Sequence, residues 1–420
     1  MGSGGLILKR GLIGDYFLKF ASISLVITLL LLSADAGSAR TVYVEPGNSI
    51  QDSVNNSTTG DIIVVKAGAY QENITVNVSG VTVTSDPSSG SVLLRSPDGN
   101  SSVFQIEADN VTIRGFNITG SGEAGNVPEI SEGAGCPPSG ICLKHANNCT
   151  IERNNLSENR YGIYLQESMN NTLSQNNLSG NGIWLDEGCS ENILLNNVIE
   201  KGNIILGAHC WNNTILQNRL SNGEGISIAC CGGNYLVSRN SIMNCSTGID
   251  IYDVQARTVL SNNRIMNCNY GIVLDSVFDS RIYNNTISNA STGIYFREEC
   301  HSNNLYSNVI TSSKQSGIYL LDNSADNSIY NNYFNNTINA RVENSVSNSW
   351  NTTKKKSTNI VKGPYLGGNF WADPHGTGFS QTAEDSNSDG ISDRLYRVNG
   401  SDIDYLPLVI NSSEPRDELE

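Results

Sequence analysis

Positively charged residues are scarce in this sequence. Its 420 residues include 26 Lys and Arg against 41 Asp and Glu, which gives a formal net charge of −15. Nucleic-acid binding depends on Lys and Arg side chains that displace counterions from phosphates, so the composition argues against a nucleic-acid partner. An acidic surface suits divalent cations or a high-salt exterior, and it is equally explained by solubility alone.

Long hydrophobic runs are missing after the first 32 residues. Lys9, Arg10 and Lys19 precede an apolar run at 20–32, and small residues follow at 34–39. A basic start, an apolar centre and a small-residue end are typical of a secretory signal peptide, which we predict for residues 1–39. The run is short for a bilayer-spanning helix, although an uncleaved anchor is the alternative. We therefore expect a secreted or cell-surface protein with no transmembrane segment in its mature chain.

What the sequence does contain is an internal repeat. A Gly-Ile-x-apolar tetrad recurs over residues 140–342 at steps of 20 to 24 residues, and asparagine recurs in phase with it. Two markers that hold one period indicate a solenoid. The tetrads begin at Gly140, Gly162, Gly182, Asn203 (a degenerate copy), Gly225, Gly248, Gly271, Gly293 and Gly317, and the asparagine marker is at Asn154, Asn176, Asn196, Asn218, Asn240, Asn262, Asn284, Asn308 and Asn331.

The pattern inside each repeat predicts which solenoid forms. Each repeat contains three short alternating pieces, such as Leu173, then Leu178, then Ile183 with Leu185, and period-two alternation predicts strands. Three strands and three corners per turn predict a right-handed single-stranded parallel β-helix of about 12–13 coils. Gly and Asn would supply positive φ at the corners. Residues one period apart should stack, and corner asparagines should form hydrogen-bonded ladders.

The segments around the repeat are assigned by where the period changes. After the signal peptide we predict an N-terminal cap and the first coils, in which a short helix at 49–54 plugs the open end of the solenoid. A Cys- and Pro-containing stretch is predicted to be an inserted loop, and a lysine-containing stretch a linker. The predicted segments are 41–120 for the cap and first coils, 121–140 for the loop, 141–342 for the regular repeats, 343–362 for the linker, 363–410 for an acidic C-terminal capping module and 411–420 for a polar tail.

Three early segments carry a family resemblance. Residues 47–54 read GNSIQDSV, residues 60–76 read GDIIVVKAGAYQENITV and residues 108–120 read ADNVTIRGFNITG, and they resemble the start of pectin-lyase-like β-helix proteins. Together with the repeats, residues 41–410 are similar to the NosD-like family of PbH1 repeats, also described as carbohydrate-binding and sugar-hydrolysis domains. The resemblance implies an exported protein, because the family includes archaeal surface proteins and a periplasmic protein implicated in copper supply.

Aromatic and acidic residues share the outward positions of the tetrads. Tyr164, Trp184, Tyr295 and Tyr319 should stack on one face, with Glu187 just beyond it. Aromatic rings beside carboxylates are suited to binding sugar rings, so we predict a polysaccharide or cell-envelope glycan as the partner. The plain alternative is a solvated strand face, on which such residues are common.

Three acids on adjacent coils raise the alternative of an enzyme. Asp250, Asp253 and Asp275 should lie near each other, and paired carboxylates hydrolyse glycosidic bonds. The Asn-x-Asp, Asp-Asp, Gly-His-Gly and Arg-x-Lys motifs of the polygalacturonase-like relatives are absent from the repeats, and only the scattered Arg257, Arg281 and Arg297 could serve a lyase. A binding protein is therefore preferred over a glycoside hydrolase or lyase.

The sharpest local motif is Asp385-x-Asn387-x-Asp389-Gly390-x-x-Asp393. Oxygen ligands at positions 1, 3, 5 and 9, the carbonyl of Ile391 and a glycine at position 6 match most of a calcium loop. Tyr396 stands at position 12, where a calcium loop carries a bidentate acid. We predict structural Ca²⁺ there, with an acidic turn that binds no metal as the alternative.

Ten cysteines in an exported chain favour disulfides. Cys245 and Cys268 occupy the same slot one coil apart, within disulfide reach if coils are spaced like paired strands, and Cys189 with Cys210 is the next predicted pair. A ladder of small buried thiols is the alternative. Cysteine beside histidine, as at His209-Cys210 and Cys300-His301, would suit copper, so a NosD-like periplasmic copper-binding accessory protein is a second alternative function. The chain has only four Met and no tight Cys/His cluster, which disfavours it. Numerous Asn-x-Ser/Thr sequons make glycosylation plausible.

Overall fold

The computed structural model describes residues 39–122, 136–254 and 256–410. From Thr41 onward the chain forms one compact unit, and the preceding unit, Met1–Arg40, falls almost entirely outside the described residues. The predicted signal peptide, most of the predicted loop 121–140 and the predicted tail 411–420 therefore also lie outside them. Within the described part of the chain, no helix has the length and apolar content needed to cross a membrane.

Three long parallel sheets wind along the chain as a solenoid of about 13 turns, and each turn contributes one strand to each sheet. Neighbouring strands pair in register, so Ile226, Ile249 and Ile272 follow one another on successive turns. The predicted all-β parallel solenoid and the stacking of equivalent side chains are thereby confirmed. The inward residues of each turn, such as Leu173, Leu178 and Ile183, are fully buried.

The strands of each sheet follow in chain order. Sheet 1 contains β1 Thr41–Val44, β2 Ile62–Val65, β5 Thr82–Ser85, β8 Thr112–Arg114, β11 Thr150–Glu152, β14 Thr172–Ser174, β17 Ile193–Leu195, β20 Thr214–Leu216, β23 Leu236–Ser238, β26 Val259–Ser261, β29 Arg281–Tyr283, β32 Asn304–Tyr306 and β35 Ser328–Tyr330. Sheet 2 contains β4 Ile74–Val76, β7 Phe104–Ile106, β10 Ser139–Lys144, β13 Tyr161–Gln166, β16 Ile183–Leu185, β19 Asn203–Leu206, β22 Gly225–Ile228, β25 Thr247–Val254, β28 Tyr270–Val277, β31 Thr292–Phe296, β34 Ser316–Leu320 and β37 Ala340–Val342. Sheet 3 contains β3 Gly68–Gln71, β6 Val92–Arg95, β9 Asn117–Thr119, β12 Asn155–Ser157, β15 Asn177–Ser179, β18 Val198–Glu200, β21 Arg219–Ser221, β24 Ser241–Met243, β27 Arg264–Met266, β30 Thr286–Ser288, β33 Val309–Thr311, β36 Tyr333–Asn335 and β40 Phe370–Ala372.

The remaining elements lie near the two ends of this unit. Helix α1 Ile50–Asn55 starts at the N-cap Ser49, whose hydroxyl accepts a hydrogen bond from the backbone N–H of Asp52, and it buries Ile50 and Val54. Its bounds differ by one residue from the predicted helix at 49–54. The other elements are helix α2 Phe379–Thr382 and two antiparallel pairs, β38 Lys355–Lys356 with β39 Tyr365–Leu366 and β41 Tyr396–Arg397 with β42 Ile403–Asp404.

Asparagine ladders run through the corners, as expected, but the marker names the wrong residue in four turns. The asparagines that bond to one another in the ladder are Asn197, Asn263, Asn285 and Asn332 rather than Asn196, Asn262, Asn284 and Asn331. In these Asn-Asn pairs the first residue takes the left-handed conformation, with φ of 55–57°, and the second turns inward. The sequence alone does not distinguish two adjacent residues of one type.

The segment 343–362 is more than the linker that we predicted. Trp350 is fully buried, Ser349 forms a β-bridge with Ser328, and the side-chain oxygen of Asn348 accepts from the backbone N–H of Asn327. Strand β40 then completes sheet 3 by pairing with β36. The solenoid pattern therefore continues beyond the point at which the sequence period is lost.

Candidate functional site

The outward face of sheet 2 gathers most of the predicted ligand-binding residues. Parallel in-register pairing places one side chain per turn in a single column, which we call the central column. In chain order the central column is Tyr164, Trp184, Ile205, Ser227, Asp250, Val273, Tyr295 and Tyr319. The column is aromatic toward both ends and carries small or acidic side chains in the middle.

The later end of this column is a stacked tyrosine ladder. Tyr270 lies 5.7 Å from Tyr295, and Tyr295 lies 5.0 Å from Tyr319, with interplanar angles of 21° and 11°. Stacked rings cover each other's faces, so only the end rings keep an open face for a ligand. The guanidinium of Arg341 lies 4.7 Å from the centroid of Tyr319 and occupies one end. The open end is therefore Tyr270, a ring that is 37% exposed.

Three small side chains interrupt the aromatic column between Ile205 and Tyr295. We call Ser227, Asp250 and Val273 the column gap. Asp250 is half-buried in it, and its Oδ1 atom is buried with no hydrogen-bond partner. Burial raises the pKa of Asp250, the nearby Asp275 raises it further, and the guanidinium of Arg297 opposes this. A half-buried carboxyl oxygen without a hydrogen-bond partner is unusual on a strand face, which makes the column gap a candidate site.

Asp275 lies on the same face in a different environment. It pairs in register with Tyr252, two positions beyond Asp250 on the neighbouring strand, and its Oδ2 accepts from Arg297 at 3.3 Å. One carboxyl therefore has an ion-pair partner while the other has none. Asp253 is not on this face: it is exposed at the corner with φ of 50°, because its position follows the last outward residue of the strand. The predicted trio is therefore divided, with Asp250 and Asp275 together and Asp253 apart.

Two predicted contact residues differ from expectation. Tyr164 is only 4% exposed, because its ring packs edge-on against Tyr161 at 5.3 Å and its hydroxyl donates to Asp186. Its ring is therefore closed to a ligand. Glu187 is exposed, but it lies at the corner with its Oε1 4.0 Å from Nδ1 of His209, outside the column.

Trp184 is the aromatic residue best placed at the early end of the column. It packs edge-to-face with Tyr161, with centroids 5.4 Å apart, and both rings line a cavity of about 260 Å³. Lys201 and Glu224 add charged groups to the same cavity. Tyr161 and Tyr270 were not predicted as contact residues. Each directly precedes a tetrad glycine, and strict alternation would turn that position inward, as it does for Ser139, Thr292 and Ser316.

The cysteines are arranged differently from the predicted disulfides. Cys136 and Cys142 form a disulfide, whereas Cys245, Cys268, Cys189 and Cys210 are buried free thiols. The pairs do lie on neighbouring turns as predicted, and the thiols of Cys245, Cys268 and Cys210 donate to backbone carbonyl oxygens. Side chains on in-register parallel turns project side by side, so their Cβ atoms keep the strand spacing of about 4.8 Å, which exceeds the disulfide range of about 3.5–4.5 Å. Thiol ladders, the alternative we considered, describe these pairs.

The predicted calcium loop is held by its own hydrogen bonds. Asp385 accepts from the backbone N–H groups of Asp389 and Gly390, and Asp393 accepts from Ser386. Asp389 forms an ion pair with Lys354. Asn387 accepts from the backbone N–H of Asp389, and the N–H of Ile391 donates to the Asp389 side chain. Calcium binding here stays a prediction, in competition with the Lys354 ammonium group.

The Cys/His pairs considered for copper do not converge. Cys210 and Cys300 point into the core and are fully buried, whereas His209 is exposed and His301 stacks on Phe278. Neighbouring residues at these corners point in opposite directions, one into the core and one toward solvent, and this keeps the sulfur and the imidazole apart. In the described part of the chain, the one group of three His, Cys, Asp or Glu whose ligand atoms all lie within 4.8 Å of one another is Cys230, Cys231 and Asp253.

Comparison with known proteins agrees with this architecture. The family model described as periplasmic copper-binding protein (NosD) matches residues 53–204, 102–252 and 196–376, which together span more than half of the chain. A cell surface glycoprotein of Methanothermus fervidus is 29% identical over 143 residues, which are 33% of this chain and 21% of that protein. The chain thus matches about a fifth of the length of this relative.

Solved structures show the same fold. The catalytic domain of a GH87 α-1,3-glucanase variant in complex with tetrasaccharides superposes with a TM-score of 0.59 at 16% identity, covering 76% of this chain and 67% of that chain. A nigerose complex of that domain superposes with a TM-score of 0.55 at 16% identity, covering 76% and 66%. At this identity the likeness describes the fold alone.

Proposed function

This chain belongs to the family described as periplasmic copper-binding protein (NosD). We propose that it is an exported surface protein that binds polysaccharide across the outward face of sheet 2. The matching cell surface glycoprotein supports a location outside the cytoplasm. The single observation that carries the binding role is the column gap, in which the unpartnered Oδ1 of Asp250 lies between the two aromatic ends of the central column.

The geometry suits a sugar chain that runs along the column. Trp184 stands at the early end, and the open face of Tyr270 stands at the late end, so two rings would flank sugar units seated over the column gap. Sugar hydroxyls would then supply the hydrogen bond that Asp250 lacks. The cavity beside Trp184 gives room for one further unit.

Affinity electrophoresis of the full chain in gels that contain single soluble polysaccharides tests this function. We expect retardation by at least one polysaccharide, and a loss of affinity of about tenfold or more for Trp184→Ala, Tyr270→Ala and Asp250→Asn, since tenfold corresponds to about 1.4 kcal/mol. Tyr306→Ala is the matched control, because Tyr306 lies in a similar stacked ladder on sheet 1. Equal losses for Tyr306→Ala and Tyr270→Ala would contradict the assignment to sheet 2.

A second candidate function is glycoside hydrolysis at the same face. The differing environments of Asp250 and Asp275 favour it, because burial keeps one carboxyl protonated to higher pH while Arg297 pairs with the other. Asp250 would act as the proton donor and Asp275 as the carboxylate. Release of reducing ends from a bound polysaccharide, abolished by both Asp250→Asn and Asp275→Asn, would establish the enzyme. Binding without release would retain the first function.

Structural calcium at Asp385–Asp393 is a further proposal, supported by the turn that Asp385, Asn387 and Asp389 form around Gly390. We expect a chelator to lower the melting temperature of the full chain and Ca²⁺ to restore it, with no such response in Asp385→Asn. An unchanged melting temperature on chelation would mean that the Lys354 ion pair and the internal hydrogen bonds suffice.

A further inference from the structure

Two of the eight free cysteines differ from the rest. Cys230 and Cys231 are partly exposed, whereas the other six free thiols are buried. Both follow strand β22 at a corner, and the exposed Asp253 lies at the same corner one turn later. The two sulfurs and a carboxylate oxygen of Asp253 all lie within 4.8 Å of one another. Three ligand atoms of two chemical types thus meet at one accessible point.

The backbone holds this cluster in place. Cys231 has a φ of 66°, a left-handed conformation that a cysteine side chain does nothing to favour, and its N–H donates to the carbonyl oxygen of Asp253 at 3.0 Å. The next two residues are glycines that lie tight against both neighbouring turns, since a Cβ on Gly232 would be 2.0 Å from the Cys210 carbonyl and one on Gly233 2.5 Å from Ala256. The neighbouring turns therefore hold the backbone of this corner in place.

The register supplies a fourth donor. Trp211 forms a parallel bridge with Gly233, so His209 and Cys231, each two residues earlier, occupy equivalent corner positions on adjacent turns. His209 has the same left-handed conformation, with φ of 56°, and its side chain is 60% exposed. Its ring nitrogens lie outside the group of three, and its nearest acidic partner is Glu187 at 4.0 Å, so the imidazole would have to rotate to reach the cluster.

We propose that Cys230, Cys231 and Asp253 bind a Zn²⁺-class divalent ion, with His209 as the fourth ligand. Zinc accepts thiolate, imidazole and carboxylate together in a tetrahedral site. Calcium and magnesium select oxygen ligands, and Cu(I) selects soft sulfur ligands and gains little from a carboxylate. Binding would link two adjacent turns at a corner, and it would release protons from the two thiols. The proposal stands independently of polysaccharide binding.

Titration of the reduced full chain with Co²⁺, a coloured substitute for Zn²⁺, tests this site. We expect one ion per chain, a thiolate-to-metal charge-transfer band, and displacement of Co²⁺ by Zn²⁺. Cys230→Ser with Cys231→Ser should abolish the band, and Asp253→Asn should weaken binding by about tenfold or more. Cys245→Ser with Cys268→Ser is the matched control, because it removes two other neighbouring thiols and should leave binding unchanged.

Several outcomes would overturn the proposal. The first is that Co²⁺ does not bind, and the second is that the charge-transfer band is unchanged in the Cys230 and Cys231 variant. The third is that Zn²⁺ does not bind while Cu(I) binds these cysteines with an affinity that Asp253→Asn does not change. Alkylation of the unmodified protein provides a measurement that needs no folded variant. Zn²⁺ should protect Cys230 and Cys231 from iodoacetamide, read by peptide mass, and equal labelling with and without Zn²⁺ would reject the site.

Discussion

Among single residues, Asp404 carries the clearest electrostatic consequence. It is fully buried, and its carboxylate accepts hydrogen bonds from the backbone N–H of Asn369 at 2.7 Å, the indole N–H of Trp371 at 2.9 Å and the backbone N–H of Leu406 at 3.0 Å. Burial nevertheless outweighs these bonds and raises the pKa of Asp404 to about 7. The carboxyl group that bonds to the last strand of sheet 3 is therefore more stable in its protonated form in the folded state than in the unfolded state.

The sign of the resulting pH dependence follows from linkage. The unfolded pKa of an aspartate is about 3.9, so the contribution of Asp404 to stability is fully present below about pH 4 and is lost as pH rises through about 7. Asp404→Asn cannot titrate at this position. We therefore expect the melting temperature of the unmodified chain to fall relative to that of Asp404→Asn as the pH rises over that range. Tryptophan fluorescence melts measure it, and a difference that stays constant from pH 4 to pH 9 would contradict the assignment.

The tetrad glycines are required for close packing between turns rather than for a left-handed backbone. Gly248, Gly271 and Gly293 do not adopt positive φ, which residues at the corners supply. A Cβ on Gly248 would instead lie 2.4 Å from the carbonyl oxygen of Gly271, and one on Gly271 would lie 2.3 Å from that of Gly293. Close approach of successive turns therefore requires glycine there, while Asn, Gln, Arg and Ser take the left-handed corners at a modest energetic cost.

At the scale of the structural element, the buried asparagine ladder is the feature whose loss should cost most. The Oδ1 of Asn197 accepts from the backbone N–H and the side-chain amide of Asn176, at 3.0 and 3.1 Å. Its own amide donates to the Leu173 carbonyl at 2.9 Å and to Asn218 at 3.0 Å. Asn197→Ala removes all four hydrogen bonds at a site that is fully buried.

We expect Asn197→Ala to lower the free energy of unfolding by roughly 3 kcal/mol or more, because each buried group left unpaired costs about 1–3 kcal/mol. Asn177→Ala is the matched control one turn earlier. Asn177 is exposed and makes a ladder bond only to Asn155, at 3.0 Å, so its loss should cost about 0.5 kcal/mol or less. Urea unfolding of both variants checks the contrast, and similar midpoints would mean that the ladder adds little.

The same scale shows what the sequence could and could not predict. The period of the repeat predicts which strands pair, and the alternation of apolar residues predicts which side chains face inward. Both predictions depend only on the spacing of residues along the chain. Tyr164, by contrast, was predicted to be exposed and is covered by Tyr161, a contact that spacing does not reveal. The thiol pairs follow the same rule: their stacking was visible in the sequence, but the distance and direction of the sulfur atoms were not. The burial of Trp350 was missed because the period is lost in its segment.

For the molecule as a whole, the solenoid makes stability a sum over neighbouring turns. Each turn pairs with the turn before and the turn after it, and β14, β17 and β20 of sheet 1 illustrate this with one unbroken register from Thr172 through Ile193 to Thr214. A complete turn is therefore an exchangeable unit. Residues 192–212 make up one such turn, since Asn192 and Asn213 are consecutive members of a second buried asparagine ladder.

Deletion of residues 192–212 should leave a folded, shorter solenoid. Glu191 would join Asn213, so Asn171 would bond to Asn213 in place of Asn192, and Ile183 would pair with Ile226. We expect an unchanged circular dichroism signature and a cooperative melt only a few degrees lower. Deletion of 192–202 is the control, because it removes β17 and β18 but keeps β19. The remaining strand cannot then pair in register with both neighbouring turns, and we expect those turns to unfold. If both deletions melt alike, stability does not depend on the register between turns.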